Sequence, residues 1–288
     1  MRGPRFPLGR ARGYTPRVLV FTDPDQRRTV LVPQASHALA AWQIAERWGN
    51  RSFARPSPRA EVLAAILLHD GGWTDVDAAP GLDGHGRPHT FDRMPPTAHL
   101  EAWRRGVERT ALYSCYSALL VAAHVEALAE YKAHDLAQRG EADTEREVRR
   151  FQDEMAVKQA EWRQALSFDP RFAPCLDGAG WEVNRRLLSA ADAISVHLCA
   201  ALPGAFSVTA CGRSREPVAV SFESRGPRLY SARPWPFEGD RVRVHCQGWP
   251  VASPVFASAA ELAATLARAA LVRLDFTIAR PAALGRVG

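Results

Sequence analysis

A mainly α protein with accessory β structure (α+β) is the fold class the sequence predicts, on three observations. Between about residues 34 and 203, apolar residues recur at the spacing of one helix face. After Pro203 the chain turns to alternating, β-branched and aromatic segments. Two short segments of the same kind precede Pro33. The expected architecture is a core of five or six helices over 34–203, carrying a small antiparallel sheet built from the two ends of the chain, 17–33 and 204–288.

"RVLVFTD" and "RRTVLVP", joined by "PDQ", read as a strand pair over about 17–33. Residues 35–48 then put His37, Ala40, Ala41, Ile44 and Trp48 on one helix face, and 59–70 do the same with Val62, Ala65, Ile66 and His69. The segment 79–97 is rich in Pro and Gly and predicts an irregular loop. Further helices are expected at about 98–111, 114–138, 142–167 and 181–202. The 142–167 helix is so charged that one face must be solvated, with Phe151, Met155 and Trp162 as its apolar stripe. Beyond it, "PVAVSFES", "RLYSARPWPF" and "RVRVHCQGWPV" read as antiparallel strands. A helix over 258–270, with Ser258 as N-cap, and a last strand "LVRLDFTI" close the pattern.

At 288 residues and 47% hydrophobic, the chain can bury a substantial core and is expected to be a soluble globular protein. Its longest apolar runs, "VLAAILL" and "YSALLVAA", fall short of the roughly 20 residues a membrane span needs, so no membrane partner is expected. Residues 1–16 form a basic arm without the apolar stretch of a secretory signal, which predicts a flexible segment and a cytoplasmic address. Cys115, Cys175, Cys199, Cys211 and Cys246 show no CxxC spacing, which argues against a disulfide framework and against a zinc ribbon. The formal charge of +6 comes from 37 basic residues, of which only Lys132 and Lys158 are lysine. That arginine excess is spread over every segment instead of clustering with aromatics, so no nucleic-acid partner is expected. The oligomeric state is left open.

The stretch "AAILLHDGGW", residues 64–73, ends an apolar helix in an adjacent His69-Asp70 pair. His and Asp resist burial, and together they are useful as ligands for a divalent metal. Further ligands would come from other helices. The candidates are His37, His99, His124 and Asp192, each in or beside a helix with a largely apolar face. Gly71 and Gly72 would allow a left-handed exit from the helix and a close backbone approach; an ordinary C-cap explains them equally well. Trp73 would be a substrate-facing lid or a core aromatic.

This constellation resembles the HD-domain metalloprotein superfamily, whose pattern is a His on one helix, a His-Asp doublet ending the next and a distant Asp on a late helix. The resemblance covers about residues 34–203. It implies His37, His69, Asp70 and Asp192 as ligands of a first metal, with His99 and His124 matching the extra histidines of dinuclear members and Asp70 bridging. The implied cofactors are two divalent metal ions, iron or manganese by the His-rich donor set. The chain also resembles a bacterial family of unknown function through "HDGGW", "HLEAWRRG" and a late "PWPF", over nearly its whole length.

From the superfamily resemblance, the expected activity is hydrolysis of a small phosphorylated substrate by a metal-activated water. A diiron oxygenase acting on a small anionic substrate and a non-catalytic metal- or ligand-binding protein remain the alternatives. The Lys that several superfamily members carry after the doublet is replaced by Trp73, which argues against cyclic-dinucleotide hydrolysis. Asp75 and Asp77 lie close enough in sequence to serve with Asp70 in catalysis as general acid or base. Arg104, Arg105 and Arg109, near His99, could grip an anionic substrate, and the 79–97 loop is the natural lid.

Overall fold

The C-terminal strands alternate as their sequences dictate. In Arg241–Val251, Val242, Val244 and Cys246 point into the core while Arg241, Arg243 and Gln247 face solvent. The structure, a computed structural model, describes residues 19–22, 29–78, 81–88 and 96–281. The basic arm expected over 1–16, and residues 79–80 and 89–95 of the proposed lid, lie outside the described residues.

The described elements run β1 (Leu19–Thr22), β2 (Thr29–Val32), α1 (Gln34–Glu46), α2 (Arg59–Leu68), a 3₁₀ turn (Gly71–Trp73), α3 (Thr74–Ala78), α4 (Pro96–Ala111), α5 (Cys115–Arg139), α6 (Ala142–Leu166) and α7 (Gly178–Cys199). There follow β3 (Phe206–Cys211), β4 (Pro217–Gly226), β5 (Leu229–Arg233), β6 (Arg241–Val251), α8 (Ala259–Arg268) and β7 (Val272–Ala279). The protein is thus mixed α+β. Its strands form one seven-stranded sheet in the order β1-β2-β6-β7-β5-β4-β3. This corrects the expected small antiparallel sheet: the sheet is larger, and β5 pairs parallel with β7 through Tyr230↔Ile278. Strand β3 at one edge lies within the expected β-rich region 204–288 but matches none of the segments read as strands; its inward Val208 and Ala210 are small and give little pattern.

Helix α1 is bound to the sheet as well as to α7 and α2. Strand β2 pairs with β6 only along Trp249–Val251, so the rest of that edge of β6 needs other partners. Side chains of α1 supply them. Gln43 donates to the His245 carbonyl at 2.9 Å and accepts from the His245 amide at 3.1 Å, and Ser36 Oγ accepts from the Gln247 amide at 2.6 Å. The N-terminus of α1 has no local side-chain cap. Instead Asp77 of α3 accepts from the Gln34 amide at 2.7 Å, closing the helix from outside.

Helices α5 and α6 pack together, with Val148, Phe151, Met155 and Gln159 forming the buried stripe of the charged helix. Trp162 of the expected stripe is only partly buried. At the other end of the sheet, Leu262 and Leu266 of α8 cover Leu31 and Val251, and Ser258 caps α8 as expected by accepting from the Glu261 amide at 3.1 Å. Among the described residues no helix is long and apolar enough to cross a membrane. Of the 79–97 loop, the described part is anchored: the Phe256 amide donates to the Gly86 carbonyl at 2.7 Å, and a Cβ on Gly86 (φ +71°) would lie 2.4 Å from the Phe256 carbonyl oxygen.

Candidate metal centre

Four helices deliver five polar side chains to one point in an otherwise apolar interior. His37 comes from α1, His69 and Asp70 from the end of α2, His124 from α5 and Asp192 from α7. The helix faces that carry them are apolar because they face one another; Ala40, Ala41, Ile66, Val121 and Ala191 are fully buried around the site. The rings interlock edge to face, with His37 and His69 centroids 5.2 Å apart and His69 and His124 centroids 5.6 Å apart.

Distances within the group suit a shared cation. His37 Nε2 lies 2.7 Å from Asp70 Oδ2 and 3.7 Å from Asp192 Oδ1. His69 Nε2 lies 3.6 Å from Asp70 Oδ2 and 3.4 Å from Asp192 Oδ1. Ligand atoms about 2.1 Å from one ion at tetrahedral or octahedral angles are themselves about 3.0–3.4 Å apart, so these four atoms straddle the expected spacing. Two overlapping groups could hold a metal ion: His37, His69 and Asp70, and His69, His124 and Asp192.

The hydrogen bonds behind the rings decide which nitrogen each presents. His69 Nδ1 donates to the Ile66 carbonyl at 2.7 Å, so its proton sits there and Nε2 is the ligand atom. Ser195 Oγ donates its one proton to the Asp192 carbonyl at 2.8 Å; its contact with His37 Nδ1, also 2.8 Å, must therefore be accepted from the ring. His37 thus also turns Nε2 toward the carboxylates. This fixing of the ring from behind is how proteins orient metal-binding imidazoles. His69 Nε2 and His124 Nε2 are buried and make no hydrogen bond, although His124 Nε2 lies 3.5 Å from Asp192 Oδ2. Unpartnered buried nitrogens aimed at carboxylates fit a cation.

The electrostatics agree. Burial alone would depress the His69 imidazole, but the carboxylates of Asp70 and Asp192 outweigh it and raise its pKa to about 9. Burial would likewise raise both carboxyls; His69 and His37 outweigh it at Asp70, and His124 and His69 do so at Asp192, holding both below the ordinary range. The site holds positive charge against two carboxylates, as a proton or as a metal ion. Its side chains are 2–5% exposed for the histidines but 14% for Asp70 and 19% for Asp192, so it opens on the carboxylate side.

The other expected site residues are elsewhere employed. His99 belongs to neither metal-capable group among the described residues; its ring lies between Trp73, at 5.0 Å, and Trp103, at 4.2 Å. Trp73 is 2% exposed and is core, which corrects its expected role against substrate. Arg104 is held by Glu154 at 2.7 Å, and Arg109 by the Gly71 carbonyl and Asp75, each at 2.8 Å. Arg105 stands 3.9 Å from Glu101. Arg104 and Arg109 are thus committed within the fold instead of facing an anion. Asp75 is tied to Arg109, and Asp77 is the cap of α1. Gly71 and Gly72 do not adopt a left-handed turn. The glycine at 72 is required by packing, since a Cβ there would lie 1.8 Å from the Ala102 carbonyl oxygen and 2.6 Å from the Gly106 amide. Ser195 was not singled out in the sequence; its signal is the three-residue step from Asp192 on one helix face.

Compared with known proteins, residues 20–252 match the model of a family described as "Protein of unknown function (DUF3891)". No curated protein and no solved structure matches the chain. The HD-domain resemblance is therefore corrected. The match is to a different family, and the helices bearing His37, the His69-Asp70 doublet and Asp192 are built onto a seven-stranded mixed sheet, which is not specifically the HD-domain pattern.

Proposed function

The chain belongs to the DUF3891 family, whose name gives no reaction, and from that premise we propose that His37, His69, Asp70 and Asp192 hold a divalent metal ion with which the protein hydrolyses a small phosphorylated substrate. The observation that carries this reading is the commitment of both Nδ1 protons to acceptors behind the rings, which leaves two Nε2 atoms directed at two carboxylates. One ion per chain is the stoichiometry we propose. His69 is common to both metal-capable groups and binds one ion, while His99 belongs to neither among the described residues. Two histidines with two carboxylates suit manganese, iron or zinc better than magnesium.

When bound, such an ion supplies Lewis acidity and a water acidic enough to attack near neutral pH. The chain's own residues supply the rest. Ser195 and the Ile66 carbonyl hold the two rings in the ligating tautomer. Asp70 and Asp192, the more exposed side chains of the cluster, would be the ones nearest an incoming substrate. His124 Nε2, unbonded and facing Asp192 Oδ2, is the atom placed to take and return a proton.

Elemental analysis of anaerobically purified protein, beside the His69→Ala, Asp70→Ala double variant, tests the site. One equivalent of metal, lost in the variant, is expected. With that metal, p-nitrophenyl phosphate should be turned over by the wild type and not by the variant. Bound iron with oxygen uptake and no phosphate release would replace hydrolysis by oxygenation. No metal, even after reconstitution, would remove the proposal.

A further inference from the structure

Two adjoining depressions open where the chain leaves α1 and where β3 turns into β4. One, of about 600 Å³, is lined by Arg51, Arg55, Arg213 and Glu238, and the other, of about 450 Å³, by Arg55, Arg213, Arg215, Cys175 and Asn184. Arg55 and Arg213 line both, so they form one cleft. It is separate from the metal centre: Asn184 and Asp192 are on the same helix, on the order of 12 Å apart along its axis.

The walls are held by backbone and side-chain amide hydrogen bonds. The Arg213 amide donates to the Ser52 carbonyl at 2.8 Å and the Ala54 amide to the Cys211 carbonyl at 3.2 Å, joining the Arg51–Arg55 segment to the β3–β4 turn. Asn50 Nδ2 donates to the carbonyls of Trp235 and Phe237, and its Oδ1 accepts from the amides of Ser52 and Phe53. Arg215 is kept at φ +70° by a turn in which its amide donates to the Gly212 carbonyl at 2.9 Å. Arg215 and Cys175 both line the second depression, where burial raises the Cys175 thiol and the Arg215 guanidinium opposes that rise.

Arg55 is paired with Glu238 at 2.5 Å, whereas Arg51, Arg213 and Arg215 are in no ion pair among the described residues. A fixed frame that lines one cleft with Arg51, Arg55, Arg213 and Arg215 against the single carboxylate of Glu238 carries an excess of positive charge, which an anion relieves. Guanidinium forks match phosphate oxygens in pairs. The volumes are those of small-molecule sites, not of the extended tracks that polymers need. We propose that this cleft binds a small ligand carrying two or more phosphate groups, independently of the metal centre.

Isothermal titration of the full-length, chelator-treated protein with inorganic pyrophosphate tests this. One-to-one binding is expected, retained in the His69→Ala, Asp70→Ala variant and weakened roughly tenfold or more when Arg213 and Arg215 are both changed to alanine. Both arginines are exposed, and an unchanged thermal melt would show that the fold is kept. Absence of binding would overturn the proposal, as would binding that survives the arginine changes but is lost in the metal-site variant. So would displacement of pyrophosphate by a single-stranded RNA oligomer at much lower concentration, which would make the occupant a polymer.

Discussion

His37 Nδ1 and Ser195 Oγ lie 2.8 Å apart, and the hydroxyl has already given its proton to the Asp192 carbonyl. The imidazole must therefore donate, and its Nε2 is left facing Asp70 Oδ2 at 2.7 Å, a separation at which two lone pairs require a proton or a metal ion between them. Ser195→Ala removes the acceptor and frees the ring to adopt the other tautomer. We expect metal affinity to fall by roughly ten- to a hundredfold, as for other groups that orient metal-binding histidines, while the melting temperature of the metal-free protein changes little. Competition with a chelating dye reads the affinity; an unchanged dissociation constant would make Ser195 a packing residue only.

Much of this cluster is legible in the sequence alone. His37, His69, Asp70, His124 and Asp192 each sit in apolar helical patterns where an isolated polar group is costly, and that cost is visible in one dimension. The partners of Arg104 and Arg109 are not. Glu154 and the Gly71 carbonyl lie 50 and 38 residues away, so the arginines looked available for substrate. The same limit hid the parallel pairing of β5 with β7, which depends on long-range register, whereas the alternation of Val242, Val244 and Cys246 announced β6 directly. Helix α7 starts at Gly178, ahead of the expected position 181, because its first turn, "GAG", carries no apolar signal.

Gly72 and Gly71 are adjacent but should respond in opposite ways to the same substitution. A Cβ at 72 would meet the backbone of α4, which cannot swing aside as a side chain would, whereas a Cβ at 71 meets nothing within 4 Å. Gly72→Ala should destabilise by about 3 kcal/mol and, by displacing the turn after the doublet, weaken metal binding. Gly71→Ala should stay within about 0.5 kcal/mol of wild type. Urea denaturation of both variants checks the contrast, and equal effects would refute the close-packing argument.

Asp77 makes stability depend on pH. Burial is the main cause that raises its carboxyl from 3.8 to about 7, with Asp70 adding to it and the hydrogen bond from Gln34 opposing. A folded-state pKa above the unfolded value means that the native protein binds the proton more tightly, so this contribution is complete below about pH 4, declines as pH rises and is gone above about 7. Asp77→Asn keeps an oxygen acceptor for the Gln34 amide and never ionises. The stability difference between wild type and variant should therefore move against wild type by up to about 4 kcal/mol across that window, measured on metal-free protein. A difference that stays flat with pH would show that Asp77 is not desolvated as the structure has it.

Removal of the metal should loosen the joint between α1, α2, α5 and α7, since the five clustered side chains come from all four. A ligand that binds only the native state at roughly a hundredfold over its dissociation constant contributes about 2.7 kcal/mol. For a chain of this size, that predicts a fall in melting temperature on the order of 5–10 °C when chelator is added, reversed by the native metal. Asp192→Asn should lose most of this metal-dependent increment, because Asp192 faces His37, His69 and His124. Asp75→Asn should keep it, since Asp75 is exposed and contacts Arg109 instead of the cluster. Differential scanning calorimetry with and without metal separates the two; an equal increment in both variants would show that the ion binds somewhere other than the buried cluster.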